Sequence, residues 1–219
     1  MDTIFSQSSS KLVIICGPMY SSKTSTLLID LTRYSDVGLP VLYINSQDDT
    51  RGDVYSTHNS SLHQLSKKVE TKKAVHLEDI PDEELGKYKV IGIDESQFFD
   101  DLVPFVKKLL KMKKIIYVSG LDGDVNQNLF GKILYLIPYA SEVRKLTAVC
   151  EKCKEFGRIV PANVTISRTK RIHSPEDTTP VKEIGAKEKY VPVCNDCLFH
   201  QNESRIQRYP SIDDVNFLI

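Results

Sequence analysis

Residues 11–24, Lys11-Leu-Val-Ile-Ile-Cys-Gly-Pro-Met-Tyr-Ser-Ser-Lys-Thr24, decide the fold. The unbroken apolar run Leu12 to Cys16 reads as a strand buried on both faces, ending at Gly17. Lys23 to Tyr34 then reads as a helix, with Leu27, Leu28 and Leu31 on one face and a stop at Gly38. Strand, glycine-led loop and helix, in that order, are the setting of a Walker A phosphate loop. Gly17, Pro18, Met19, Tyr20, Ser21 and Ser22 would wrap a phosphate with main-chain groups at the positive end of a helix. Lys23 would neutralise the β- and γ-phosphates of ATP, and the Thr24 hydroxyl would help hold Mg²⁺. Ser22 stands where such loops carry a second glycine, which predicts tolerance with some loss of affinity. The competing reading is a surface turn that happens to contain Ser-Lys-Thr; the strand before it and the helix after it weigh against that.

Outward from this stretch the same alternation continues. Val41 to Asn45, Lys89 to Asp94 and Lys114 to Ser119 read as strands, and Asp101 to Met112 as a helix with Leu102, Phe105, Val106 and Leu109 on one face. Ser46 to Ser61 is polar and reads as a loop. Strands alternating with helices predict an α/β fold of the P-loop kinase kind, a mostly parallel sheet flanked by helices. Ile91-Gly-Ile-Asp94-Glu95 delivers two carboxylates at the carboxyl end of a strand, the edge where open α/β sheets bind ligands. Asp94 fits a magnesium-holding role and leaves Glu95 for another task. Simple acidic helix capping competes with that reading, but the order of the two motifs favours function.

Five cysteines occur, at 16, 150, 153, 194 and 197. Cys16 reads as a small core residue of the first strand. Cys150-x-x-Cys153 and Cys194-x-x-Cys197 are two knuckle pairs, the donor set of a tetrahedral, structural Zn²⁺ site with no open position. Disulfides compete, but the chain reads as intracellular, where thiols stay reduced. His200 reads as a bystander.

The motifs, taken together, resemble one family. Gly17-Pro18-Met19-Tyr20, Asp49-Thr50-Arg51, Ile93-Asp94-Glu95-Ser96-Gln97-Phe98-Phe99, Leu121-Asp122-Gly123, Lys145 to Cys150, Thr169-Lys-Arg171 and Ile184-Gly185-Ala186 follow in order, then Tyr190 and Cys194. They resemble the cytosolic-type thymidine kinases over roughly Lys11 to Cys197. The resemblance implies that Glu95 is the catalytic base, that Arg51 joins Lys23 in neutralising charge, and that Asp49 is a polar partner near them. It implies a base pocket from Met19, Phe98, Leu121, Thr169 and Tyr190. It also implies a lasso loop around Ile184, Gly185 and Ala186 that closes over the base from the zinc lobe. Many relatives carry an aromatic residue at the position of Val125, so this chain is expected to have a wider, less discriminating slot. ATP and thymidine as substrates, thymidine triphosphate as feedback inhibitor and a homotetramer follow from the resemblance alone.

The expected organisation is a flexible N-terminus (1–10), an ATP-binding domain (11–147), a zinc lobe bearing the lid (148–200) and a tail (201–219). Lys+Arg and Asp+Glu both number 29, so the net charge is zero, which disfavours nucleic acid as the main partner. The runs Lys111 to Lys114 and Lys170-Arg171 read as solvated faces. No stretch approaches a membrane span or a signal-peptide core, so the expected location is cytoplasmic, with no membrane partner. Two other function classes are carried: a zinc-ribbon nucleic-acid-binding ATPase, and a catalytically weakened nucleotide-binding regulator motivated by Ser22.

Overall fold

The computed structural model describes residues 9–47, 69–168 and 189–199. Six strands, β1 (Lys11–Cys16), β2 (Val41–Ser46), β3 (Glu70–Ala74), β4 (Val90–Ile93), β5 (Ile115–Gly120) and β6 (Glu142–Lys145), form one sheet in the order β3-β2-β4-β5-β1-β6. Every adjacent pair is parallel, so the sheet predicted as mostly parallel is wholly so.

A parallel sheet must be covered on both faces, and the strand sequences divide accordingly. Leu12, Ile14, Cys16, Ile91, Ile93, Ile116 and Val118 face one core, against α2 (Asp82–Gly86), α3 (Leu102–Lys111) and the 3₁₀ turns at Leu77–Asp79 and Ile133–Tyr139. Val13, Ile15, Tyr43, Val90 and Tyr117 face the other, against α1 (Lys23–Asp36). Leu27, Leu28 and Leu31 of α1 are fully buried there, each contributing roughly 1.5–3 kcal/mol. Gly92 makes that packing possible: a Cβ on it would lie 2.4 Å from the Leu31 Cδ1. The helix outruns its predicted end by two residues and stops before Gly38, whose φ of 81° suits glycine.

One strand was not read from the sequence, and one residue departs from its reading. β3, Glu-Thr-Lys-Lys-Ala, is an edge strand with a largely exposed, polar sequence, held by its ladder to β2 from Leu42↔Glu70 to Ser46↔Ala74. In the run Lys111 to Lys114, Lys114 is not on a solvated face. It is buried, and its ammonium donates to the Gly86 carbonyl at 3.3 Å and to the Tyr88 carbonyl. The Gly86 carbonyl ends α2 and needs a donor, the Tyr88 carbonyl lies just beyond the helix, and burial lowers the Lys114 pKa.

After residue 147 the elements become small. β7 (Ala148–Val149) pairs antiparallel with β8 (Pro161–Ala162), and β9 (Val164–Ser167) with β10 (Tyr190–Val193). With α4 (Glu151–Lys154) and α5 (Asn195–Phe199) they enclose their own apolar cluster around the cysteines. Among the described residues no helix is long and apolar enough to cross a membrane.

Candidate active site and cysteine centre

β1 and β4 are separated in the sheet only by β5, so their carboxyl ends bring the loop at 17–24 beside Asp94 and Glu95. The loop is tightly made. Gly17 has φ 148°, and a Cβ on it would lie 2.4 Å from the Leu146 carbonyl oxygen. Pro18 presents its carbonyl inward, where it accepts from the Ser21 hydroxyl at 2.8 Å and the Lys23 ammonium at 2.7 Å. Among the described residues five non-glycines have positive φ, and three of them, Tyr20, Ser22 and Glu95, lie on these two loops. Left-handed backbone of this kind costs about 1–3 kcal/mol per residue and clusters at functional sites. Ser22 has φ 62° and ψ 28°, so the position where a glycine was missed does adopt glycine's geometry.

Asp94 is buried, and the Tyr43 hydroxyl donates to its Oδ2 at 2.8 Å. Burial, then the Glu95 charge, raises its pKa, while the hydroxyls of Thr24, Ser119 and Tyr43 pull it back. A buried carboxylate beside a Thr24 hydroxyl at a phosphate loop is a hard-oxygen donor set, which fits Mg²⁺. Glu95 accepts from Gln97 Nε2 at 2.5 Å, and Gln97 Oε1 accepts the Leu121 N–H at 3.0 Å. Gly120 and Gly131 give Gln97 room: a Cβ on Gly120 would lie 2.9 Å from its Oε1, and one on Gly131 2.5 Å from its Cα.

Of the expected base pocket, Phe98 is half-buried and meets Phe130 edge-on at 6.3 Å, while Phe99 turns into the core. Leu121 and Val125 are half-buried on the segment after β5, and Met19 is half-buried on the phosphate loop. Tyr190 is buried on β10 opposite Ser167. A cleft of about 210 Å³ lies between the phosphate loop, the segment after β5 and the small lobe, lined among others by Pro18, Asp122, Asp124, Lys145 and Thr165. Asp49, Arg51, Thr169, Ile184, Gly185 and Ala186 lie outside the described residues.

Sequence reasoning missed Tyr43, Phe130 and Thr165, and gave Gln97 no role. A tyrosine in an otherwise apolar buried strand was a signal, because its hydroxyl needs a partner. Thr165 carried none: its Oγ1 accepts the Met19 N–H at 2.9 Å from 146 residues away.

The sulfurs of Cys150, Cys153, Cys194 and Cys197 all lie within 4.8 Å of one another, with no disulfide. Cys153 Sγ is 3.8 Å from Cys194 Sγ and 3.5 Å from Cys197 Sγ. Four thiolates at Zn–S distances near 2.3 Å have edges of about 3.8 Å, so the cluster is sized for tetrahedral zinc. Burial pushes the Cys153 thiol up to about 11. A divalent cation among the sulfurs would favour the thiolates instead.

The profile of the family described as Thymidine kinase matches residues 10–198. The chain is 35% identical over 196 residues to the cytosolic thymidine kinase of Gallus gallus, covering 90% of this chain and 80% of that one. With the human cytosolic thymidine kinase the identity is 34% over 195 residues, covering 89% and 75%. With the thymidine kinase of Yaba monkey tumor virus it is 39% over 191 residues, covering 86% and 94%.

Proposed function

The chain belongs to the thymidine kinase family, a phosphotransferase acting on thymidine with ATP, and we propose which of its residues do the work. The observation that carries the assignment is the meeting of Lys23, Thr24, Asp94 and the Gln97-held Glu95 at one end of β1 and β4. The loop from Gly17 to Thr24 holds the ATP phosphates, with Lys23 exchanging the Pro18 carbonyl for phosphate oxygens. Thr24 and Asp94 would hold Mg²⁺, which when bound would offset phosphate charge. Glu95 accepts the proton of the thymidine 5′-hydroxyl as that oxygen attacks the γ-phosphorus and ADP leaves. Gln97 holds one carboxylate oxygen and so orients the group.

The remaining assignments rest on the resemblance. Arg51 and Asp49 complete the charge around the transferring group, and Met19, Phe98, Leu121, Thr169 and Tyr190 bound the base. Ile184, Gly185 and Ala186 close over it from a lobe anchored by zinc. Phe98 supplies the stacking face, worth about 1–3 kcal/mol. Thymidine triphosphate as inhibitor, a homotetramer and a cytoplasmic location complete this reading. The exposed side chains of Tyr135, Tyr139 and Val143, next to the edge strand β6, give a second copy an apolar surface to cover.

The test is a nucleoside panel with Mg-ATP, thymidine beside deoxyuridine, deoxycytidine and deoxyadenosine, run on wild type and Glu95→Gln. Thymidine monophosphate from wild type alone is expected, and turnover of several pyrimidines would trace to the Val125 slot. No product from any nucleoside, with the protein folded and zinc-loaded, overturns the assignment. Hydrolysis of ATP stimulated by DNA without a nucleoside would favour the zinc-ribbon ATPase.

A further inference from the structure

We propose that Thr165 is a positioning residue for the phosphate loop, and that through it the four-cysteine lobe shapes the ATP site. The inference rests on the ATP reading of residues 17–24. A peptide unit is planar, so the Pro18 carbonyl and the Met19 N–H turn as one body. Thr165 Oγ1 accepts that N–H at 2.9 Å, while the carbonyl accepts Ser21 Oγ at 2.8 Å and Lys23 Nζ at 2.7 Å. Holding one side of the plane therefore fixes the other, and with it the rest position of the lysine that meets the phosphates. Three hydrogen bonds depend on one orientation, and the only one of them made from outside the loop comes from Thr165.

Thr165 is itself held by the lobe. It is buried on β9, opposite Pro192 of β10, and β10 runs directly into Cys194. Ile166, Val191 and Val193 of this hairpin share one apolar cluster with Cys150, Cys153 and Cys194. A second tie lies beside it: Lys145, paired with Asp122, donates to the Asn163 carbonyl at 3.4 Å. Metal at the cysteines would thus stiffen the hairpin, and the hairpin presents one acceptor to one loop amide. Leaving that amide without its acceptor frees the Pro18–Met19 plane to turn.

The test uses the full-length, zinc-loaded chain with Thr165→Val, which keeps the shape and removes the acceptor, and Thr165→Ser, which keeps it. Mg-ATP affinity, Met19 amide exchange and melting temperature are measured for each. Thr165→Val should weaken ATP about tenfold and speed Met19 exchange at an unchanged melting temperature, with Thr165→Ser near wild type throughout. Wild-type ATP affinity in Thr165→Val overturns the proposal. So does an equal loss in Thr165→Ser, or a loss in Thr165→Val accompanied by a lowered melting temperature. Chelation should speed Met19 exchange in wild type and add little in Thr165→Val; equal increments would break the link between lobe and loop. A wild type that binds no ATP would instead overturn the reading of the loop, while Met19 exchange still reports the bond.

Discussion

Gln97 Nε2 donates to Glu95 Oε2 at 2.5 Å, and both side chains are buried. Glu95 sits at φ 47° and ψ 41°, left-handed backbone, and Gln97 is one of the groups that hold its carboxylate. Glu95→Gln should therefore lower kcat by about 10²–10⁴-fold with ATP affinity retained. Gln97→Ala should lower kcat by roughly 10–100-fold through loss of aim. Steady-state kinetics with direct ATP titration decide it; a Gln97→Ala enzyme of wild-type kcat would leave Gln97 without this role.

Ser22→Gly should stabilise the protein. Left-handed backbone costs a residue with a Cβ about 1–2 kcal/mol, and the greater unfolded freedom of glycine returns roughly 0.5–1 kcal/mol of that. The net gain of about 1 kcal/mol corresponds to a rise of roughly 2–4 °C in Tm. Thermal melting checks it. A variant that melts lower would mean that Ser22 makes a compensating interaction.

Asp94→Asn should separate stability from activity. Burial and the Glu95 charge raise the Asp94 pKa above its usual value. A raised acid contributes stability fully only below its unfolded pKa of about 3.9, and the contribution is lost as pH rises through the folded value. In its ionised form the buried Asp94 carboxylate is costly to the ligand-free protein, so Asp94→Asn should raise its Tm most at high pH, while turnover falls by at least about 10²-fold. The stabilisation should shrink as the pH is lowered. A Tm below wild type at pH 8 would contradict the electrostatic account.

One zinc per chain is expected by elemental analysis, and cobalt should replace it with the visible spectrum of a tetrahedral thiolate site. Cys153→Ser or Cys194→Ser should cost several kcal/mol and loosen residues 148–168 first, since binding energy at such a site is folding energy. Wild-type stability after complete metal removal would refute a structural role.

The sheet's interior, the two motif loops and the cysteine pairs were legible in the sequence. Leu12 to Cys16 and Val90 to Ile93 are apolar on both faces, and a sheet covered on both sides buries them. The spacing within each Cys-x-x-Cys pair is local, and so is the order strand, loop, Lys23-Thr24 and helix. The partners that sequence distance conceals emerge only in the folded chain. β3 joins the sheet through its backbone, so its polar side chains announced nothing. Lys114 looked like one of a run of surface lysines and became the cap of distant carbonyls. Thr165 reached Met19 because the β9–β10 hairpin meets the loop after β1, and Tyr43 reached Asp94 because β2 neighbours β4. Periodicity records which face of an element is buried, but a hydrogen bond between elements depends on where the folded backbone places two atoms.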